Sequence, residues 1–450
     1  MIMNALFRKT MISSACMLAL GLAGSANAIS LIQAYQAALK NDPQHRAAIA
    51  DNVSGQEYRV IGRSALLPQV QYSYSTANNM GESIVPDSLG RQRLSNLDYR
   101  STSKGVTIRQ TLFNVDAYAR FKQGQTQTKL SDAQFDVRTK DLMVRVITAY
   151  ADAKYAEDQL RLYQAQRDSY LEQKLVNDKL FQKGEGTKTD MLETQSKLDV
   201  AEAFVLEATD NLFNARNSLA SLVGTEVTQL DGLQDNFNVG GLLQGDFEYW
   251  KTTTEKNNAE LTAAQLALEI ADQDILKSRA GHAPRLDLNA NYNRGKSETV
   301  ATQTQDNNIR SLGVQLVIPI YSGGYVNAVS KQAVAQKEKA RAEVDGTRNK
   351  VMNELRKQFN LVKSSVAKMD ALQKSVASST VLVEATKQSI KGGVRINLDL
   401  LNAQQQLVTA QRDLAQARYS YLIGFIKLKA TAGVANLDDL HTLSGLFASN

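Results

Sequence analysis

Four short stretches of the chain alternate apolar and polar side chains with a period of two. Val70, Tyr72 and Tyr74 point one way, and Gln69, Gln71, Ser73 and Ser75 the other. Leu286, Leu288, Ala290 and Tyr292 alternate with Arg285, Asp287, Asn289 and Asn291. Two returning stretches repeat the pattern: Val106, Ile108 and Leu112 share one face, as do Leu312, Val314, Leu316, Ile318 and Ile320. Such alternation predicts strands over about 69–78, 104–113, 285–293 and 311–320, each with a greasy and a wet side. Runs of roughly ten residues suit tilted strands in a bilayer. A soluble antiparallel sheet packed on a helix gives the same signal. Between the members of each pair, about 79–103 and 294–310, the chain is polar and is expected to form long loops.

The remainder reads as helix. No proline occurs between Pro86 and Pro284 or after Pro319, and 118–182 and 326–390 are rich in Ala, Gln, Lys, Glu, Leu and Val. Helices of about 65 residues would be ~100 Å long, a length that no ordinary globular domain needs. A second helix is expected after each, over 188–223 and 397–432. Leu400, Leu407, Leu414, Tyr421 and Leu428 are seven apart, as are Met191, Leu198, Val205, Leu212 and Leu219. Three residues on lie small side chains, Ala403, Ala410, Ala417 and Gly424, answered by Thr194, Ala201, Ala208 and Ala215. This is a knobs-into-holes seam of large and small layers, which an intramolecular helical hairpin would also produce. The other helix faces are polar enough to line a wet space.

These elements occur twice. Leu66-Leu67-Pro68 before the first strand is answered by His282-Ala283-Pro284, Gly105-Val106 by Gly313-Val314, and Gly184–Gly224 by Gly393–Gly433 at a constant offset of 209. Two structural repeats are expected, 29–245 and 246–450. Four strands cannot close a barrel, and open edges in lipid cost several kcal/mol per unpaired backbone group. If the strands span a membrane, several chains must share one barrel. Eight strands from two chains would be filled by side chains, so a conducting pore needs more; the physics leaves the number open.

Composition adds bounds. Arg8 and Lys9, an apolar run from Met11 and Ala26-Asn27-Ala28 have the layout of a secretory signal peptide over residues 1–28. Cys16 invites a lipoprotein reading, but the apolar core runs past it. Without the signal, the formal charge of +6 falls to +4, and the sole cysteine is gone, so no disulfide is expected. No concentrated basic patch points to nucleic acid. His45, His282 and His441 lie far apart with no metal-ligand spacing, and phosphate-binding, nucleophile and paired-cysteine motifs are missing. No enzyme activity, cofactor or metal is therefore expected.

The chain resembles the TolC family of outer-membrane efflux and secretion channels over nearly its whole mature length. The resemblance rests on Ser30–Tyr35 with Asn41-Asp42-Pro43, on Leu66-Leu67-Pro68, on Ile318–Gly324 and on Gly393–Gln404. It implies an α+β membrane protein: a homotrimer with a twelve-stranded outer-membrane β-barrel, four strands per chain, continuous with a twelve-helix periplasmic α-barrel. It also implies a mixed α/β belt, here from 29–52, 230–262 and the C-terminal residues. The turns 183–187 and 391–395 would form the periplasmic tip, closed by polar links between helices. Thr189, Asp190, Arg395, Asp399 and Asn402 fall in that aperture. Arg395 could bond the Thr189–Asp190 region, and Asp399 would line the pore. Capping of the helix N-terminus is the plain alternative for Asp190 and Asp399. Asn402 stands where some members have a second Asp, and Ile390 where some have a latch tyrosine. The implied partners are a periplasmic adaptor (membrane fusion) protein, an inner-membrane ABC exporter or efflux pump, and outer-membrane lipid. Type I protein secretion is the favoured expectation, with multidrug efflux and a periplasmic coiled-coil scaffold as alternatives.

Overall fold

A computed structural model describes residues 28–448, apart from 87, 235, 236, 238 and 298–304. The expected signal segment therefore lies outside the described residues except for Ala28, as does the middle of the expected second loop. In chain order the elements are α1 (Leu31–Asn41), α2 (Pro43–Ser64), β1 (Gln69–Pro86), β2 (Gln92–Phe113), α3 (Val115–Lys183), α4 (Lys188–Val223), β3 (Gly232–Leu233), α5 (Phe247–Asn257), α6 (Ala259–Arg279), β4 (Arg285–Ser297), β5 (Gln305–Val317), α7 (Tyr325–Lys391), α8 (Asn397–Thr431), α9 (Leu437–Ser444) and β6 (Phe447–Ala448). The chain divides into two compact units. One takes residues up to Ala48, Val137–Asn258 and the chain from Lys350; the other takes Ile49–Asp136 and Ala259–Asn349. Each unit draws on both sequence halves. A half whose apolar faces cannot be buried alone packs against its counterpart.

The second unit holds an antiparallel sheet in the order β1-β2-β4-β5. Its strands are longer than the alternation predicts. β1 and β2 stay paired from Gln69↔Arg109 to Pro86↔Gln92, turning near Gly90, whose φ is 73°. β4 and β5 pair as far as Ser297↔Gln305. The stretches expected as loops are thus largely strand. Their outer parts carry mostly polar side chains on both faces, so no continuous apolar face betrays the period of two. β5, conversely, stops at Val317, since Pro319 has no N–H to give a ladder. One face is apolar, with Val70 opposite Ile108, Tyr72 opposite Val106 and Ala290 opposite Leu312. The other is polar throughout its middle: Gln71, Ser73, Thr107, Asn289 and Asn291, with an Arg109–Asp287 ion pair at 2.7 Å near the base. Beneath the sheet, α2 crosses α3 at glycines. A Cβ on Gly62 would lie 2.7 Å from the Arg120 carbonyl oxygen, and one on Gly124 would lie 2.4 Å from that of Tyr58.

The first unit is helical around one main core. Tyr150, fully buried on α3, ties its parts together. Its hydroxyl donates to the Ile29 carbonyl at 2.9 Å and accepts from the Asp231 N–H at 3.0 Å, while its ring meets Phe447 edge-on. Burial, then the nearby Asp231 carboxylate, pushes the phenol's pKa upward. β3 pairs with β6, and Ile29 bridges Leu230. The N-terminal, mid-chain and C-terminal segments that the resemblance assigns to a belt are therefore one packed assembly. The seam also packs as its period requires: Leu198, Leu212, Leu219, Leu400, Leu414 and Leu428 are buried, as are Ala201, Ala208, Ala403, Ala410 and Ala417.

Asp42, buried between α1 and α2, pairs with Arg145 of α3. Burial alone would raise its pKa, but the Arg145 guanidinium and the Gln44 N–H outweigh it and hold it below the usual carboxylate range. A depressed folded pKa stabilises above the unfolded value near ~4, and that stability is lost as pH falls through the folded value. Arg145→Ala is expected to cost about 3 kcal/mol at pH 7, because a buried carboxylate loses its partner. The variant should also recover part of the loss when the pH is brought to about 4, because burial, no longer opposed by the guanidinium, raises the Asp42 pKa and favours its protonated form. Thermal melting of the detergent-solubilised protein at both pH values checks this; a deficit that does not shrink in acid would show that Asp42 is not the cause.

Candidate functional site

The two helix-to-helix turns in the first unit share a backbone but not a cap. After α3, Gly184 takes φ 76°, and the N–H groups of Glu185 and Gly186 both reach the Leu180 carbonyl. After α7, Gly393 takes φ 71°, and the Val394 N–H reaches the Ser389 carbonyl. A left-handed residue that closes a helix end favours glycine. In the first turn Thr187 caps α4. Its hydroxyl accepts from the Asp190 N–H at 3.1 Å and donates to the Asp190 carboxylate at 2.7 Å. In the second, Ile396 stands at the cap position of α8 without a side-chain bond. Asp190 and Asp399 both lie in a first turn, where a carboxylate complements the helix dipole. Neither is itself the cap residue: Asp190 completes the cap begun by Thr187, and Asp399 has no such hydroxyl to hold.

Thr189, Arg395 and Asn402 are exposed, and Asp190 and Asp399 half-buried. Among the described residues no hydrogen bond or ion pair joins Arg395 to Thr189 or Asp190 within the chain. What does join the helices here is a polar bridge that the sequence reading missed. The Asn177 amide donates to the Thr194 hydroxyl at 2.7 Å, and that hydroxyl donates to the Asp190 carbonyl at 2.8 Å. The Asn397 amide reaches the same hydroxyl at 3.4 Å, and Gln173 donates to the Asn397 side-chain oxygen. One cluster thus links α3, α4 and α8. A turn further along α3, the buried Tyr170 hydroxyl accepts from Gln166 and points at the Leu401 carbonyl and Gln405. Gln166 also donates to Gln405 at 2.7 Å, and Gln404 to Ser169 at 2.8 Å. A hydroxyl at Thr194, in a layer otherwise made of alanine, is the sequence signal that could have located the bridge.

This chemistry binds helices to one another. Among the described residues no three His, Cys, Asp or Glu side chains gather in a group that could hold a metal ion. No described helix is long and apolar enough to cross a membrane, whereas the sheet bears an exposed apolar face.

A sheet greasy on one face and polar on the other, in one chain with long paired helices and polar cross-links, suits a membrane conduit. The Outer membrane efflux protein family matches over residues 34–225 and 252–434, and the chain belongs to that family. It is 37% identical to the alkaline protease secretion protein AprF of Pseudomonas aeruginosa over 94% of this chain and 88% of that one. It is 36% identical to the proteases secretion protein PrtF of Dickeya chrysanthemi (95% and 93%) and 27% identical to the outer membrane protein TolC of Escherichia coli (94% and 86%). Among solved structures, the outer-membrane channel OprN has the same fold, with a TM-score of 0.78 at 18% identity over 90% of each chain. The chain is an outer-membrane export protein, as the TolC-like motifs led one to expect.

Proposed function

We propose that three copies of this chain form the exit duct of a type I protein secretion system. The observation that carries the reading is the four-stranded sheet, apolar on one face and polar on the other, whose β1 and β5 edges have no partner among the described residues. In lipid those edges must be paired. Three copies give a twelve-stranded barrel with Gln, Ser, Thr and Asn facing a wet lumen. The long helices then form the periplasmic part, and their turns the tip. A periplasmic adaptor and an inner-membrane ABC exporter act on that tip and drive the transport. Protein cargo is favoured over drugs because the relatives above 30% identity are named for protease secretion. Efflux of small molecules is the second reading, favoured by the family's own description.

A deletion strain tests the choice. Loss of an exported protease from the medium with unchanged drug sensitivity is expected; drug sensitivity with normal export would reverse the order of the readings. Purified protein should conduct in planar bilayers as an oligomer, and a monomer without conductance would remove the channel itself.

The aperture residues follow from the same reading. Three Asp399 carboxylates would ring the pore and favour cations. Asp399→Ala is expected to lower cation preference and to weaken block by multivalent cations; unchanged reversal potentials would put Asp399 outside the pore. Arg395, free of Thr189 and Asp190 within its own chain, would find them on a neighbouring copy, beside the exposed Asn402. Arg395→Ser is therefore expected to raise single-channel conductance, and no change would take Arg395 out of the closed tip.

A further inference from the structure

Successive rungs of the sheet change character abruptly on the apolar face. One rung runs Tyr72, Val106, Tyr292, Arg310 across β1, β2, β4 and β5. The next, away from the helices, runs Tyr74, Lys104, Arg294, Asn308, and the one after it Thr76, Thr102, Lys296, Asp306. Beyond these, Arg100 lies opposite Asn78 and turns its guanidinium to Thr76. Among the described residues, four cations therefore gather over the three rungs above Tyr72 and Tyr292, with Arg310 on the tyrosine rung itself, and one carboxylate, Asp306, holds Arg294 through two bonds at 2.7 and 3.1 Å. Among the described residues, the next carboxylates on this face, Asp98 and Glu82, lie further out along the first hairpin.

The asymmetry is specific. On the opposite face at the same level stand Ser75, Ser103, Gly105, Asn293, Gly295 and Asn307, all uncharged. At the other end of the apolar band, nearest the helices, the outward positions Val70, Gln110, Leu286 and Leu316 are uncharged too. From Leu286 to Tyr292 the band spans ~20 Å along the strand, or ~15 Å of height at the tilt of barrel strands, which lies within the ~25 Å apolar band a barrel presents. The tyrosines then fall at the membrane interface and the cations at headgroup level of the leaflet away from the periplasmic helices. Lys104 and Arg294 sit directly opposite one another on strands ~4.8 Å apart, so both head groups can bracket one phosphate.

We propose that Lys104, Arg294 and Lys296, flanked by Arg100 and Arg310, bind the phosphorylated headgroup of an outer-leaflet glycolipid. The inference rests on the strands spanning the outer membrane as proposed above. Asp306 splays the Arg294 fork and tunes the affinity, and Arg310, stacked 5.8 Å over Tyr292, closes the lower side.

The test uses the full-length assembled protein, with binding of fluorescent lipopolysaccharide measured in neutral phosphatidylcholine vesicles. The triple variant Lys104→Gln/Arg294→Gln/Lys296→Gln should bind on the order of 100-fold more weakly. The charge-preserving Lys104→Arg/Arg294→Lys/Lys296→Arg should restore most of the binding, and Asp306→Asn should tighten it. Arg93→Gln, on the opposite face, should leave it unchanged. Dephosphorylated lipopolysaccharide should bind the wild type no better than phosphorylated lipopolysaccharide binds the triple variant, and free inorganic phosphate should not compete. Equal binding of the two glycolipids, undiminished binding by the triple variant, or full competition by inorganic phosphate would each overturn the proposal. Conductance in phosphatidylcholine bilayers separates the two readings: a triple variant that conducts while glycolipid binding never depended on its charges sinks this site alone, whereas a wild type that neither inserts nor conducts sinks the channel.

Discussion

Gly433→Ala is expected to destabilise the protein by about 4 kcal/mol or more, the largest effect of any single methyl group added to the two helical hairpins. Gly433 follows α8 with φ 76°, a left-handed conformation that alone costs an alanine ~1–2 kcal/mol. The added Cβ would also lie 2.1 Å from the Asn257 carbonyl oxygen, a backbone atom that no rotamer change can move. The surroundings are stitched: the Asn258 amide donates to the Thr431 carbonyl at 2.8 Å, and Lys140 to the Gly433 carbonyl at 2.9 Å. Three related glycines grade the prediction. Gly224, 209 residues earlier, has φ 81°, but its Cβ would meet only the Asn41 side chain, at 2.7 Å. That side chain can swing away at the loss of its bond to the Val223 carbonyl, so Gly224→Ala should cost about 2–3 kcal/mol. Gly184 and Gly393 have the same backbone sign with nothing within 4 Å, leaving only the ~1–2 kcal/mol conformational cost. Melting temperatures of the four variants should fall in that order; equal losses would mean that close approach at Gly433 adds nothing.

The same four glycines show what a sequence can and cannot disclose here. Their matched spacing marks four turns, because a helix end that closes in the left-handed region needs glycine wherever it occurs. Nothing in the spacing says that one of them abuts a carbonyl from α5. The seam was legible for the same local reason: a heptad states which face of a helix is buried, and Leu198, Leu212, Leu400 and Leu414 are buried accordingly. The strands were legible only over their apolar band. Beyond Tyr74 and Tyr292 both faces are mostly polar, and a ladder such as Glu82 opposite Asn96 looks like a loop in sequence. The belt needed three dimensions, since Tyr150 joins Ile29 and Asp231 across 121 and 81 residues. In the candidate aperture, charge drew attention to Arg395 and Asp399. The cross-links within the chain are neutral amides and a hydroxyl drawn from three helices, and no periodicity connects Gln173, Thr194 and Asn397.

Asn397→Ala is expected to raise single-channel conductance more than Arg395→Ser does. Asn397 opens α8 and bonds both ways, accepting from Gln173 of α3 and donating to Thr194 of α4. Any opening that moves α8 away from those helices breaks both bonds, so they count towards the closed state alone. A hydrogen bond in a protein contributes roughly 1 kcal/mol net. One such loss in each of three copies that open together would amount to ~3 kcal/mol, about a 100-fold shift in the ratio of open to closed channels, and the loss of both Asn397 bonds to about twice that energy. Gln173→Ala removes one of the two bonds and should give a smaller shift in the same direction. Thr194→Val removes the hydroxyl shared by Asn177 and Asn397, so it takes one of the two Asn397 bonds and should match Gln173→Ala in conductance while also lowering the melting temperature, since Asn177 is buried and keeps an unmade bond. Gln404→Ala, which loses only the contact with Ser169 of α3 further from the turn, should change conductance least. Planar-bilayer recordings of the four variants decide the matter. Conductance that rises for Gln404→Ala but not for Asn397→Ala would place the closing contact away from the turns, and with it the residues proposed for the aperture.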